Sequence, residues 1–290
     1  KGSAALLANA AEISFKGTNS ITAEMTTFSV QGTGGKVTTT EGSSTTVTAP
    51  TLGISPIPTG ITFVSTIVDA VASAGGVNYA SLEDAVNEVA KGTNSATVIE
   101  LLKDTTVDGD GILIDKTTKD ITINGNGHTV SGTITSGARG IFYVKSYTLT
   151  LNNINLDATI AKSDSWGAIL VNGSNAKIVT NNCDIKVRGN TGLCAMGLNG
   201  KGVIDLNNTT VTSVFNLIYV HNNDPAMGTV TATNSTATAP FMGYTITEVK
   251  GLTFIKNVDP FGTSDAAIGT KLYATLPEAF AAAKSGDVIT

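Results

Sequence analysis

What is scarce in this chain narrows its class before any motif is considered. Only 14% of the 290 residues are charged, and 18 basic against 23 acidic residues leave a net charge of −5. No basic patch stands out, so the composition argues against a nucleic-acid partner. There is one tryptophan, and aromatics make up 6% of the chain, so a core has to be built from aliphatic side chains. No apolar run approaches the roughly 20 residues that a membrane-spanning helix needs. Lys1 to Asn9 has too short an apolar stretch for a signal peptide. The two cysteines, Cys183 and Cys194, have no His or Cys neighbours at metal-ligand spacing, which argues against zinc. They could pair in an oxidising compartment or lie reduced in a core, and their spacing does not choose.

What is abundant is Gly (31 residues), Thr, Asn, Ser, Val and Ile. β-Branched residues suit strands, and Gly and Asn tolerate the positive φ of tight turns, so the mixture favours many short strands. The chain also repeats itself. Tyr79-Ala-Ser-Leu-Glu-Asp-Ala85 returns as Tyr273-Ala-Thr-Leu-Pro-Glu-Ala279, 194 positions on. Thr46-Val-Thr-Ala-Pro50 returns as Thr236-Ala-Thr-Ala-Pro240, and Gly60-Ile-Thr-Phe-Val64 as Gly251-Leu-Thr-Phe-Ile255, at offsets of 190 and 191. One repeat unit of about 190 residues is therefore expected. Residues 1–72 would be the closing coils of a preceding unit, 73–262 a complete unit with an N-terminal capping helix, and 263–290 the opening cap of the next. The chain then reads as a window on a longer tandem array.

A shorter rhythm runs inside the unit. Ile121-Thr-Ile-Asn124, Leu149-Thr-Leu-Asn152, Ile178-Val-Thr-Asn181, Ile204-Asp-Leu-Asn207 and Val230-Thr-Ala-Thr233 start 28, 29, 26 and 26 residues apart. A second strand follows each, and a third precedes four of them: Ile141–Val144, Ala168–Val171, Leu193–Met196 and Leu217–Val220. Three strands per turn of about 27 residues predict an all-β chain, a right-handed parallel β-helix solenoid. A β-sandwich is the rival architecture. Asn124, Asn152, Asn181 and Asn207 fall at matching corners, where amides can stack from coil to coil and αL geometry is tolerated. The one clear helix is expected over about 82–90, with Ser81 as N-cap, Asp84 in a near capping box, and Leu82, Ala85, Val86 and Val89 on one apolar stripe. In the later copy Thr275 caps, Glu278 closes the box, and Leu276, Ala279, Phe280 and Ala283 form the stripe. Each helix is expected to plug the open end of a stack. Residues 60–78 and 251–272 read as a strand followed by a Gly/Ala/Asp loop.

Candidate chemistry is sparse. Asp104, Asp115, Asp120, Asp157, Asp164, Asp184, Asp205 and Asp224 are scattered rather than paired as hydrolysis would require. Asp108-Gly-Asp110-Gly resembles a calcium loop but lacks the further ligands of one, and a solvated turn is the plainer reading. Arg139 and Arg188, the only arginines, fall in no acidic cluster, and His128 and His221 sit beside turns. Trp166 lies on a predicted loop, where it could stack on a sugar ring or simply pack. The Thr-x-Thr pairs do not keep one register across coils, which speaks against an ice-binding face. No catalytic residue and no bound cofactor is expected.

The opening Tyr-Ala-[Ser/Thr]-Leu-x-x-Ala, continued from Tyr273 to Thr290 as Ala-x-x-Ala-Lys-x-Gly-Asp-x-Ile-Thr, resembles unit openings in large bacterial cell-surface proteins with pectate-lyase-like β-helices. Residues 79–104 are similar but insert Gly92-Thr-Asn-Ser-Ala-Thr. The resemblance implies an extracellular structural or adhesive element: a stalk, surface layer, sheath, filament or adhesin. Its partners would be neighbouring units, other copies or cell-surface glycans. No enzyme motif of the family is present. A polysaccharide-binding or polysaccharide-degrading β-helix protein is the alternative.

Overall fold

The structure is a computed structural model. It describes residues 5–23, 27–31, 35–50, 53–54, 56–65, 69–115, 119–137, 139–189, 191–262, 264, 266–269, 271–273 and 275–290. Residues 1–4, residues 66–68 of the expected junction and Ala274 of the repeated motif lie outside the described residues.

The chain winds as a β-solenoid of about 8 turns, half of it strand. Three sheets run along the stack from residue 98 onward. In the first, strands Val98–Leu101, Ile121–Asn124, Tyr147–Asn152, Ala176–Asn181, Gly202–Asn207 and Gly228–Thr233 pair in parallel. Seven strands, from Thr105–Thr106 to Leu252–Lys256, make the second sheet, and five, from Ile112–Ile114 to Asn216–Val220, make the third. The N-terminal coils share this plan: Leu6–Asn9 pairs with Phe28–Gln31, Glu12–Phe15 with Lys36–Thr39, and Thr18–Thr22 with Ser44–Ala49 and Ile61–Ser65, all in parallel.

Inward side chains stack because the pleat alternates and the register holds. Ile121, Leu149, Ile178, Ile204 and Val230 form one row, the alignment expected from the sequence. Ile99, Ile123, Leu151, Thr180 and Leu206 form the next, all fully buried. Thr180 is tolerated there because its hydroxyl meets that of Thr209 at 2.9 Å. Thr209 belongs to a corner column of Ile154, Cys183, Thr209 and Ser235, all buried. Toward the end of the stack the column turns polar and is satisfied internally: the Thr209 N–H donates to Ser235 Oγ, which donates to backbone carbonyls including that of Leu206.

The asparagine corner divides into two roles. Asn152 Nδ2 donates to Asn124 Oδ1 at 3.0 Å and Asn181 Nδ2 to Asn152 Oδ1 at 2.8 Å, while Asn124 donates to Glu100 Oε1. Asn207 holds the next rung in backbone register with Asn181. These residues end their strands and are not the αL residues. Positive φ falls one or two residues later, at Asn126, Asn153, Asn182 and Asn208. The ladder amide needs an extended backbone to face its neighbour, so the turn itself passes to the following residue.

One expectation about the strands needs correction. In the third sheet Phe142, Ile169, Met196 and Ile218 align, with the strand at Cys194–Asn199. The expected Leu193–Met196 was therefore two residues early. A slip of two leaves every side chain on the same face, so alternation could not detect it. The Thr-x-Thr pairs share a register over two coils only, Thr210/Thr212 and Thr236/Thr238; the same rows carry Asp184 and Lys186 before them and end at Ile255, as expected for pairs that keep no register along the stack.

Helix α1 (Leu82–Lys91) buries Leu82, Ala85, Val86, Val89 and Ala90. Ser81 Oγ accepts from the Asp84 N–H and donates to its carboxylate, and Gly92 closes the C-terminus in αL geometry at φ 78°. Its apolar stripe joins one core cluster running from Val71 to Val249. Among the described residues a second cluster, around Phe28, Val37, Val47 and Ile61, serves the N-terminal coils. What read as a loop before α1 is an antiparallel hairpin, Ala72–Ala74 with Val77–Tyr79, extending the first sheet beyond Val98–Leu101. Its signal was Gly75-Gly76, both at positive φ.

The hairpin recurs as Ala266–Ile268 with Lys271–Tyr273, followed by helix α2 (Leu276–Ala282). Thr275 Oγ1 accepts from the Glu278 N–H. Ala283 is the extended C-cap rather than a stripe residue, because the helix stops at Ala282. The bridge Ile268–Ile289 copies the Ala74–Ile99 pairing of the first hairpin. Leu276 is 48% and Phe280 66% exposed, whereas Leu82 and Val86 of α1 are buried.

Candidate functional site

Outward side chains of the third sheet form a row: Leu113, Tyr143, Leu170, Gly197 and Tyr219. Gly197 breaks it, and a Cβ there would run into the side chain of Trp166. The indole lies across this gap. It meets Tyr219 edge-on at 5.0 Å and 89°, and stacks with His221 at 5.5 Å and 23°. All three rings are half-buried.

The loop that carries Trp166 is anchored on both sides. Ser165, fully buried, donates its hydroxyl to the Ser136 carbonyl at 2.6 Å. The Trp166 N–H donates to the Arg139 carbonyl, and the Cys194 thiol donates to the Trp166 carbonyl at 2.9 Å. Beside the rings, His221–Asn223 is a single 3₁₀ turn in which Asn222 and Asn223 are consecutive αL residues, φ 55° and 52°. Asp224 follows and caps the next turn through the Ala226 N–H. Arg139 lies over the Tyr143 ring at 5.1 Å, and Asn172 donates to the Tyr143 hydroxyl. Trp166 and Tyr219 come together from loop and strand 53 positions apart, a juxtaposition that no local motif announces.

The second sheet carries a polar cavity of about 170 Å³ lined by Thr129, Asn155, Leu156, Asp157, Asp184 and Lys186. Its carboxylates have local cations: Asp184 pairs with Lys186 at 2.8 Å, and Asp157 with Arg188, whose guanidinium also stacks on Phe261 at 4.3 Å. The acids of the first coil serve the second. Asp104 accepts from the Thr129 N–H, which holds its carboxyl below the usual range, with His128 at 3.3 Å adding to the effect. Asp108 accepts from the Thr133 N–H at 2.6 Å, Asp110 from the Ser136 hydroxyl, Asp120 from the Thr148 N–H, and Asp115 pairs with Lys145. Asp108 and Asp110 thus each serve a neighbouring coil. Among the described residues no group of three or more His, Cys, Asp or Glu could hold a metal ion, and no helix is long and apolar enough to cross a membrane. Asp205 joins Lys177 at 3.2 Å with the Thr231 hydroxyl.

Both cysteines are free and buried. Cys183 is a rung of the corner column, and Cys194 opens a strand of the third sheet, in register with Asn216. Burial pushes both thiols up. Comparison with protein-family models, curated proteins and solved structures gave no match. The fold defines the class, a parallel β-solenoid, and a solenoid by itself assigns no activity.

Proposed function

We propose that the chain is an extracellular structural or surface repeat protein, its β-helix units assembled end to end as a stalk, surface layer, sheath, filament or adhesin. The observation that carries this reading is the repeated cap. In both copies a hairpin and an amphipathic helix follow the last parallel strand of the coils before them, Ile61–Ser65 and Leu252–Lys256. In the first copy the helix stripe is buried beneath the coils that succeed it. A solenoid end without such a lid exposes apolar side chains and unpaired backbone, which invites uncontrolled pairing, so a lid in each unit suits serial stacking. The likeness of the unit opening to bacterial cell-surface proteins supports an exported setting. Electron microscopy of the native material tests it: threads or a layer with an axial repeat of one unit are expected, and dispersed single particles would overturn it.

The second reading is a polysaccharide-binding β-helix protein, favoured by the Trp166–Tyr219–His221 cluster. A set of oligosaccharides without turnover would distinguish binding from degradation.

A further inference from the structure

We infer that the Trp166–Tyr219–His221 cluster is a binding subsite for an uncharged hexopyranose unit of a glycan; this rests on the second reading above. Three observations converge on it. Neither Trp166 nor Tyr219 belongs to the aliphatic core, so the fold does not require these rings where they are. The placement is nonetheless built: Gly197 leaves the space, the buried Ser165 and the backbone bonds to Arg139 and Cys194 fix the loop, and the indole spans the third sheet from one coil to the next but one. Finally, the adjoining turn holds Asn222 and Asn223 in αL and leaves both side-chain amides exposed next to His221.

The chemistry selects the ligand class. The Trp166 and Tyr219 rings touch edge to face and are only half-buried, so part of their apolar surface stays on the outer face, where the C–H face of a pyranose can lie. The exposed amides of Asn222 and Asn223, with the Tyr219 hydroxyl and the His221 ring, supply the donors and acceptors that sugar hydroxyls require. Asp164 and Asp224 flank the rings in sequence, and Arg139 is drawn onto Tyr143. Among the described residues no lysine or arginine lies over the Trp166 or Tyr219 ring, so the subsite offers no such cation to pair with a uronic or sialic acid and suits a neutral sugar.

Trp166 is the only tryptophan, so its emission reports on this site alone. The whole chain is titrated with cello-, manno- and N-acetylchito-hexaose, and with oligogalacturonate as the acidic comparison. Saturable change of Trp166 emission with at least one neutral oligosaccharide, matched by calorimetry, is expected. Trp166→Phe and Tyr219→Ala should each weaken binding tenfold or more by calorimetry. Asn222→Gly/Asn223→Gly keeps residues that tolerate αL and removes only the amides, so it should leave the melting temperature nearly unchanged while weakening binding at least threefold. Phe241→Ser/Tyr244→Ser removes the other exposed aromatic pair and should leave affinity unchanged. The inference is overturned by silence across the neutral set, by tighter binding of the acidic oligomer, or by affinity that follows Phe241 and Tyr244 instead. Filament or layer formation by the Asn222→Gly/Asn223→Gly variant separates this result from the assembly reading.

Discussion

Asn181 donates its side-chain amide to the carbonyl of Asn152 at 2.8 Å, and Asn152 passes the same bond to Asn124 at 3.0 Å. A ladder of this kind locks the register of successive coils along one corner, because each amide satisfies the one before it. Asn152 is the rung with an asparagine bonded on both sides, while Asn124 joins Asn152 to Glu100.

Asn152→Ala should therefore cost about 1–3 kcal/mol, since it strands the Asn181 donor and the Asn124 acceptor in part-buried positions. Asn207→Ala should cost less. Urea denaturation of the two variants side by side measures the difference; equal losses would show that the ladder is not what fixes the corner.

The caps give a paired comparison within one chain. Leu82 is buried in α1, and its counterpart Leu276 is 48% exposed in α2. Leu82→Ala should destabilise by about 2–5 kcal/mol, and Leu276→Ala by no more than about 0.5 kcal/mol. Phe280→Ser, at an exposed position of the same stripe, should leave the melting temperature nearly unchanged while altering self-association, read by analytical ultracentrifugation.

Two glycines separate crowding from backbone conformation. A Cβ at Gly132 would fall on the Val107 carbonyl, so Gly132→Ala forces neighbouring coils apart and should cost about 3 kcal/mol or more. Gly92 has open space but φ 78°, so Gly92→Ala should cost only about 1 kcal/mol. Thermal melts of both variants test the order.

Alkaline pH should weaken the fold through groups with raised pKa values. Burial pushes up the Cys194 and Cys183 thiols and the Tyr79 phenol. Above the ordinary thiol range, near pH 8.5, the unfolded chain loses these protons first and the folded chain keeps them, so stability falls as pH rises. The stabilising contribution is fully present below that range. Cys194→Ala should flatten the decline in urea midpoint between about pH 8.5 and 10, whatever it costs at neutral pH. In the native state neither thiol should react with a thiol reagent until the chain unfolds.

The coil rhythm was legible because it is local. Ile121, Leu149, Ile178, Ile204 and Val230 were aligned from alternation and spacing, and the strands pair in that register. The stripe Leu82, Ala85, Val86 and Val89 was legible for the same reason, as a 3.6-residue period behind a serine cap. The hairpin before α1 could have been found from Gly75-Gly76, but its strands are three residues each, too short for alternation to register. Trp166 was legible as a residue that could stack on a sugar ring or simply pack, but its neighbours were not, since Gly197, Tyr219 and His221 reach it only through the winding.

By itself the sequence determined the repeat, the three-strand coil and the aliphatic filling, because each depends on side-chain periodicity within a few dozen residues. The tertiary structure decided where the third sheet's register falls, which asparagine turns the corner, and which rings meet on the outer face. Those outcomes depend on how one coil sits on the next: a slip of two residues preserves every inward and outward side chain, and only backbone pairing between coils can tell the alternatives apart.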